Sequence, residues 1–583
     1  MAFILISASL FGVRKAPGSL RTGQGGSLLM SKPAEDSAEA GVPYPPGSQA
    51  GAWDPLRLPA FRIFWLASLG SNIGTWINGT ASGWVMTDLS PSPVMVSLVQ
   101  AAGSLPLVLF ALGAGALTDI VDRRRYLIAT QIWMTLAAAA LAWLAATSRL
   151  DAWNLLILTF ALGAGAAMAM PALSAVIAEL VPTQLLPQAV SLGAVSINLS
   201  RSIGPALGGV LVAQLGAWAA YSLNALSFIG MVAMLWYWRR EQDDQALPPE
   251  RFFQALRAGV RYARLASVFR AVLVRVTAFI LFATSIWALL PLFARQELAG
   301  GPGTYGLLLT FVGIGAVAAA VLLPRVRAHI GPDGLVFVAT LIYALTAVGL
   351  ATIRNEYAVY AIMTVCGASW LSVLSSLQLA AQISVPAWVR GRALSLYLMI
   401  FAAGMTIGSF LWGWIAAHAG TPAAFLFSGI GVVFAAIAVR RFSLGSHEAP
   451  DLSPSRHWPQ PHVAEELNSN RGPVLVTIEY EIALDQREAF LAAVQQLGSI
   501  RRRDGAFAWG IFEDIAVPGR YVELFQHSSW LDHLRQHARV TREDQRVQET
   551  VYHFHRGLEA PKVSHFVGGT PEAFRNDSIG TGE

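Results

Sequence analysis

Few side chains in this chain could do chemistry, and the most telling sits in apolar surroundings. Arg201 lies in VSLGAVSINLSRSIGPALGG (190–209), a run with no other charge. A charge held among apolar residues at membrane depth costs several kcal/mol unless it meets a partner or a water-filled cavity. Arg201 therefore reads as a cation for an anionic or phenolic ligand; the competing reading is a structural hydrogen bond to Asn198 or to helix carbonyls. Asn72, Trp76, Asn78, Gln100, Asn198, Gln378 and Tyr397 also lie in apolar runs. Together they could line one amphipathic pocket, although each alone reads equally as a helix-to-helix contact. Asp88 and Glu179, near the ends of such runs, are the candidates for taking up a proton.

Other chemistries find little footing. There is no Gly-rich phosphate loop ending in Lys-Ser/Thr, so nothing points to ATP. The single cysteine, Cys366, excludes an intrachain disulfide and any Cys-based zinc cluster. His527, His533, His537, His553 and His555 fall near the end of the chain without a spacing that converges on a metal, and read as solvated surface residues. The expectation is a chain with no catalytic residue, no metal and no cofactor, hence not an enzyme.

The elements that must position these residues follow from composition. Of 583 residues 54% are hydrophobic and 13% charged, about half the charge of an ordinary soluble domain. A membrane-crossing helix needs about 20 mostly apolar residues, and twelve runs between 61 and 441 meet that length. They divide into an N-terminal half, 53–238, and a C-terminal half, 270–441. Between them, 239–269 contains FFQALRAGVRYARLA, whose Phe253, Leu256, Val260 and Ala263 recur at helical spacing and imply an amphipathic helix on the inner membrane surface. Residues 1–52 read as a disordered segment, or as sequence ahead of a start at Met30. Arginines crowd one set of connections, among them Arg123, Arg124, Arg125, Arg239, Arg240, Arg325, Arg327, Arg390, Arg392, Arg440 and Arg441, whereas the opposite loops hold Arg149, Arg295 and Arg354. By the positive-inside rule both termini are cytoplasmic. Because the arginines sit between apolar spans, they anchor to lipid and imply no nucleic-acid partner. Arg275, shallow in its span, is expected to snorkel to the interface.

The halves repeat. Residue i placed against i+204 aligns Val181 with Val385, Pro182 with Pro386, Ala189 with Ala393, Gly204 with Gly408, Gly209 with Gly413 and Gly216 with Gly420 without a gap. Two six-helix repeats with a cavity between them follow. After a linker, 442–472, the pattern changes. Val474, Val476, Ile478, Tyr480 and Ile482 alternate as a strand; a helix over 485–503, strands at 506–514 and 520–527, a helix over 530–555 and a strand at 563–567 follow. That βαββαβ order makes 473–583 a soluble, ferredoxin-like α+β domain, with an open sheet edge that could form a homodimer.

Two stretches carry a resemblance. GALTDIVDRRRYL (115–127), with Gly115, Asp119 and the cluster Arg123, Arg124, Arg125, resembles the signature loop of the major facilitator superfamily. There Asp119 would accept bonds at a neighbouring helix end and the arginines would pair with it, closing the cytoplasmic side. SRSIGPALGGVL (200–211), with Gly204, Pro205, Gly208 and Gly209, resembles the fifth-helix motif of that superfamily's exporters and antiporters, two upstream glycines being replaced by Ser191 and Ser200. Residues 53–441 are similar to the branch that includes the enterobactin exporter and related drug and secretion carriers. The resemblance implies proton-coupled efflux of a siderophore or hydrophobic drug-like molecule. Nutrient import, or a transporter fused to an oxygenase-like domain, are the alternatives.

Overall fold

A computed structural model of the chain describes residues 51–238, 252–445, 451–455, 457–458 and 471–568. The expectations for 1–50, including a start at Met30, fall outside them. Long apolar runs can satisfy their backbone groups in lipid only by coiling into helices, and the chain does so. The first group is α1 (Pro59–Leu89), α2 (Pro93–Ile120), α3 (Arg123–Ala146), α4 (Ala152–Leu180), α5 (Leu186–Leu215) and α6 (Ala217–Tyr237). After the short α7 (Phe252–Leu265) come α8 (Ser267–Gln296), α9 (Pro302–Thr352), α10 (Glu356–Ile383), α11 (Arg390–Ala419) and α12 (Thr421–Ala438).

Ten helices among the described residues are long and apolar enough to cross a membrane. The 31-residue α1 is not among those ten, being diluted by Ser68, Ser71, Asn72, Thr75, Asn78 and Thr80. The 51-residue α9 would extend about 75 Å if continuous. It is broken instead at Gly331 (φ 70°, ψ 170°), which with Pro324 and Pro332 divides it into two lengths that can each cross.

Helix partners recur between the halves. α5 packs on α1 and α3 on α6; correspondingly α11 packs on α8, and the second length of α9 lies with α12. Gly216 and Gly420, aligned by the 204-residue offset, end α5 and α11 in the same conformation (φ 88°, ψ 168° and φ 87°, ψ 158°).

The halves meet through small residues. In α5, Gly204 and Gly208 face α1: a Cβ on Gly208 would stand 3.1 Å from the Cα of Ile77. One residue further round, Gly209 faces α9, where a Cβ would meet the Pro302 carbonyl at 2.8 Å; a Cβ on Gly306 would meet the Pro205 carbonyl at 2.7 Å. Across the bundle, α2 and α11 join where Ser104 and Thr406 hydroxyls lie 2.9 Å apart.

The C-terminal domain is a four-stranded antiparallel sheet, order β2-β3-β1-β4, built from β1 (Val474–Glu481), β2 (Ala508–Glu513), β3 (Arg520–His527) and β4 (Lys562–Val567). The alternation read in the first strand is borne out: Val474, Val476, Ile478 and Tyr480 are all at most 3% exposed, and Ile482 just beyond it 6%. α13 (Arg487–Asp504) packs on this face. The single helix expected over 530–555 is two, α14 (Trp530–Arg539) and α15 (Arg542–Tyr552). The chain breaks because Thr541 and Asp544 form a reciprocal capping box, and Pro454 bridges to Thr541.

A Val at position 209 should wedge α5 from α9. Gly209→Val is expected to cost about 1–3 kcal/mol, read as a lowered unfolding temperature of the detergent-solubilised protein. Gly230→Val, where an added Cβ meets nothing within 4 Å, should change it little.

Candidate functional site

The α1–α5 contact gathers part of the expected pocket. The Arg201 guanidinium lies over the Trp76 ring, 5.5 Å from its centre, and its Nε has no hydrogen-bond partner. One turn away the Asn72 amide donates to the Ser196 hydroxyl at 3.2 Å, and Ser200 donates to the Ser196 carbonyl at 2.8 Å. Asn198 turns to its own helix, donating to the Ala194 carbonyl. Asn78 is buried with its amide oxygen unpartnered. Gln100 is half-buried on α2, Tyr397 buried on α11 and Gln378 exposed on α10, helices other than the α1 and α5 that hold Trp76 and Arg201.

The gate residues are partnered differently from the expectation. Arg123 forms an ion pair with Glu179 at 2.8 Å. Arg124 donates from Nε to the Leu235 carbonyl at 2.7 Å and also to that of Trp236, satisfying the carbonyls at the end of α6 where a cation is favoured. The Arg125 backbone N–H donates to Asp122, which caps α3. The Asp119 side chain and the surroundings of Gly115 lie outside what is described. Glu179 is thus an arginine's partner, and Asp88 is another's: Arg295 binds it and also donates to Thr87 at 3.1 Å. That contact ties the end of α1 to the end of α8, and sequence reasoning had left Arg295 as a loop cation.

Arg275 corrects a further expectation. It does not snorkel; it is 6% exposed and pairs with Asp333 at 2.6 Å, and Asp333 also accepts from the Ser443 hydroxyl and the Leu444 N–H. The Gly331 break sets Asp333 at the start of the second length of α9, within reach. Arg275 and Asp333 line a cavity of about 350 Å³ with Phe279, Phe337 and Arg440.

The amphipathic helix is not simply a surface anchor either. Its Tyr262 is 2% exposed and donates to the Ser384 carbonyl at 2.7 Å, with Trp388 edge-on to its ring. On its other side the C-terminal domain docks: Arg261 donates to the Arg503 carbonyl at 3.2 Å, Arg503 lies over Tyr262, and Arg539 lies over Trp388 at 4.6 Å. No periodicity in the chain could have paired residues so distant.

Inside that domain polar groups are buried. Glu523 accepts from Tyr480 (2.9 Å), Trp509 (3.0 Å) and Arg501 (3.3 Å), clipping α13 to the sheet. The histidines are not solvated as a group. His527 and His533 are at most 1% exposed, and burial, followed for His533 by neighbouring imidazoles, pushes their pKa down to about 4 and about 2. His537 falls to about 4 for the same leading reason. All three are neutral imidazoles at pH 7.

The chain belongs to the transmembrane secretion effector family, which it matches over residues 50–572, and it is a membrane transporter of the major facilitator type. It is 24% identical over 342 residues to the staphyloferrin A transporter of Staphylococcus aureus, covering 58% of this chain and 85% of that one. It is 26% identical over 379 residues to the enterobactin exporter of Salmonella typhimurium (64% and 90%) and 24% identical over 369 residues to a multidrug efflux pump of Mycolicibacterium fortuitum (62% and 90%). Among solved structures, a POT family transporter in complex with a thioalcohol-conjugated peptide superposes with a TM-score of 0.55 at 11% identity, covering 66% of this chain and 96% of that one. A D-xylose-proton symporter gives 0.52 at 15% (66% and 97%). These likenesses concern the fold.

Trp388 is the shared surface of the dock. Trp388→Ala removes a cation–π contact of about 0.5–2 kcal/mol, so amides of 259–265 and α14 should exchange with deuterium roughly tenfold faster, with exchange in α1–α6 unchanged.

Proposed function

We propose that this chain is a secondary exporter that moves an anionic, siderophore-like or drug-like molecule across a bacterial inner membrane by alternating access, driven by proton entry. The observation that carries the reading is Arg201, deep in α5 with a free Nε and its guanidinium on the Trp76 face. A cation beside an aromatic wall suits a ligand with a carboxylate or catecholate on an apolar body. The printed names of the relatives, a siderophore transporter, an enterobactin exporter and a drug efflux pump, are in keeping with it. So is the Gly204-Pro205 motif.

On this reading α1 and both lengths of α9 all cross, giving twelve spans in two repeats, with the arginine-rich loops and both termini in the cytoplasm. The contacts Asp88–Arg295, Gly209–Gly306 and Ser104–Thr406 then lie toward the outside, and the conformation is closed there. Asp88 is half exposed on that side. A proton taken up from outside removes its charge, releases Arg295 and loosens the outer seam, after which substrate leaves. Glu179 plays the corresponding part with Arg123 at the cytoplasmic face. The substrate path runs past Asn72, Trp76, Asn78, Gln100, Asn198, Gln378 and Tyr397, while Asp119 completes the inner gate. The C-terminal domain, whose strand order suits a ferredoxin-like fold, is a cytoplasmic module that steadies α7 against the α10–α11 connection.

Everted membrane vesicles energised to pump protons inward test this. They should accumulate catecholate or lipophilic anionic probes, and Arg201→Gln should cut the initial rate at least about tenfold while Arg201→Lys retains part of it. Uptake of no probe from a broad panel would defeat export; equal rates for wild type and Arg201→Gln would defeat the assigned site.

A further inference from the structure

We propose that His533, His537 and His565 form a binding site for a divalent transition-metal ion in the C-terminal domain. α14 places His533 and His537 four residues apart, on one helix face. β4 brings His565 to the same point: one nitrogen from each of the three lies within 4.8 Å of the others. The rings of His533 and His537 are 4.8 Å apart, those of His533 and His565 4.9 Å.

Two observations separate this group from histidines that merely pack. His533 is 1% exposed, yet neither of its ring nitrogens has a hydrogen-bond partner. A buried imidazole normally finds partners for its donor and its acceptor, and here the unpartnered nitrogens sit among two other imidazoles. Second, the pocket is walled by aromatic rings: Trp530 lies 5.3 Å from His533 and Trp458 lies 4.8 Å from His537. Such walls offer no hydrogen-bond partner and leave the His533 nitrogens for another ligand.

The donor set defines the ion. Neutral imidazoles suit zinc, copper, iron and nickel, whereas calcium and magnesium require oxygen ligands. Zinc–nitrogen bonds of 2.0–2.1 Å in tetrahedral array put ligand atoms about 3.3 Å apart, so modest rotation about the side-chain bonds closes the triad on an ion. Three histidines leave a fourth position for water or an exogenous ligand. His527, 5.5 Å from His533 between ring centres and held by Gln536 at 2.8 Å, stands behind the triad as support. The helix bearing the site ends at Arg539, the residue that lies over Trp388.

The test uses the full-length protein in detergent, stripped with a chelator and titrated with zinc by calorimetry and with cobalt(II) by visible absorption. One equivalent per chain should bind, with ligand-field bands for cobalt. His537→Ala and His565→Ala, both at half-buried positions, should each weaken binding at least about a hundredfold, while His553→Ala, outside the cluster, should not. Circular dichroism and thermal unfolding establish that each variant is folded. In the wild-type chain, needing no variant, zinc should protect His537 and His565 from diethyl pyrocarbonate, mapped by mass spectrometry. Failure to bind one equivalent, binding unaffected by both substitutions, or modification unaltered by zinc would each overturn the proposal.

Discussion

Close approach of backbones across α5 is the constraint on which the rest of the membrane domain depends. Helix association in lipid has no hydrophobic drive and relies on van der Waals contact and hydrogen bonds, both of which need small residues. Gly204 and Gly208 bring α5 onto α1, while Pro205 and Gly209, offset by one residue, bring it onto Gly306 of α9. One short motif therefore seats α5 within its own half and against the other half. The same seating puts Arg201 over Trp76, because Gly204, three residues on from Arg201, packs directly against Trp76.

Charge is then distributed around that seam. Arg275 meets the cost of its burial by pairing with Asp333, and Arg295 pairs with Asp88 where α1 and α8 end. Arg201, by contrast, has its guanidinium on the Trp76 ring and an unpartnered Nε, which is why it is the group proposed to meet a ligand. Exposed pairs such as Asp88 with Arg295 are individually weak. Weakness suits the contact that the proposed cycle makes and breaks.

Much of this was legible in the chain. Apolar run length foresaw a bundle of long helices, since lipid thickness dictates it, and the i+204 offset foresaw the matching turns at Gly216 and Gly420. Alternation foresaw the buried face of β1. What escaped were properties of side chains meeting over long sequence separations. Arg275 looked like a snorkelling cation because Asp333, 58 positions on, is brought back only by the Gly331 break. The histidines looked solvated because no spacing along the chain converges on a metal; the cap at Thr541 ends α14, and His565, from β4, closes on it. The i, i+4 spacing of His533 and His537 was the one signal available.

The C-terminal domain reaches the membrane domain through Trp388, the connection between α10 and α11. It therefore touches the half that must move if access alternates. That movement is the central claim, and pulsed electron–electron spin resonance measures it most directly. Cys366 is the sole native cysteine and is buried, so labels can be introduced at Ser148 and Tyr357, on the side proposed to face outward, and at Ser191 and Ala328, on the side proposed to face inward. The account predicts that acidification together with an anionic probe lengthens the outer distance and shortens the inner one. An outer distance that stays fixed while transport proceeds, or two distances that change in the same sense, would contradict it.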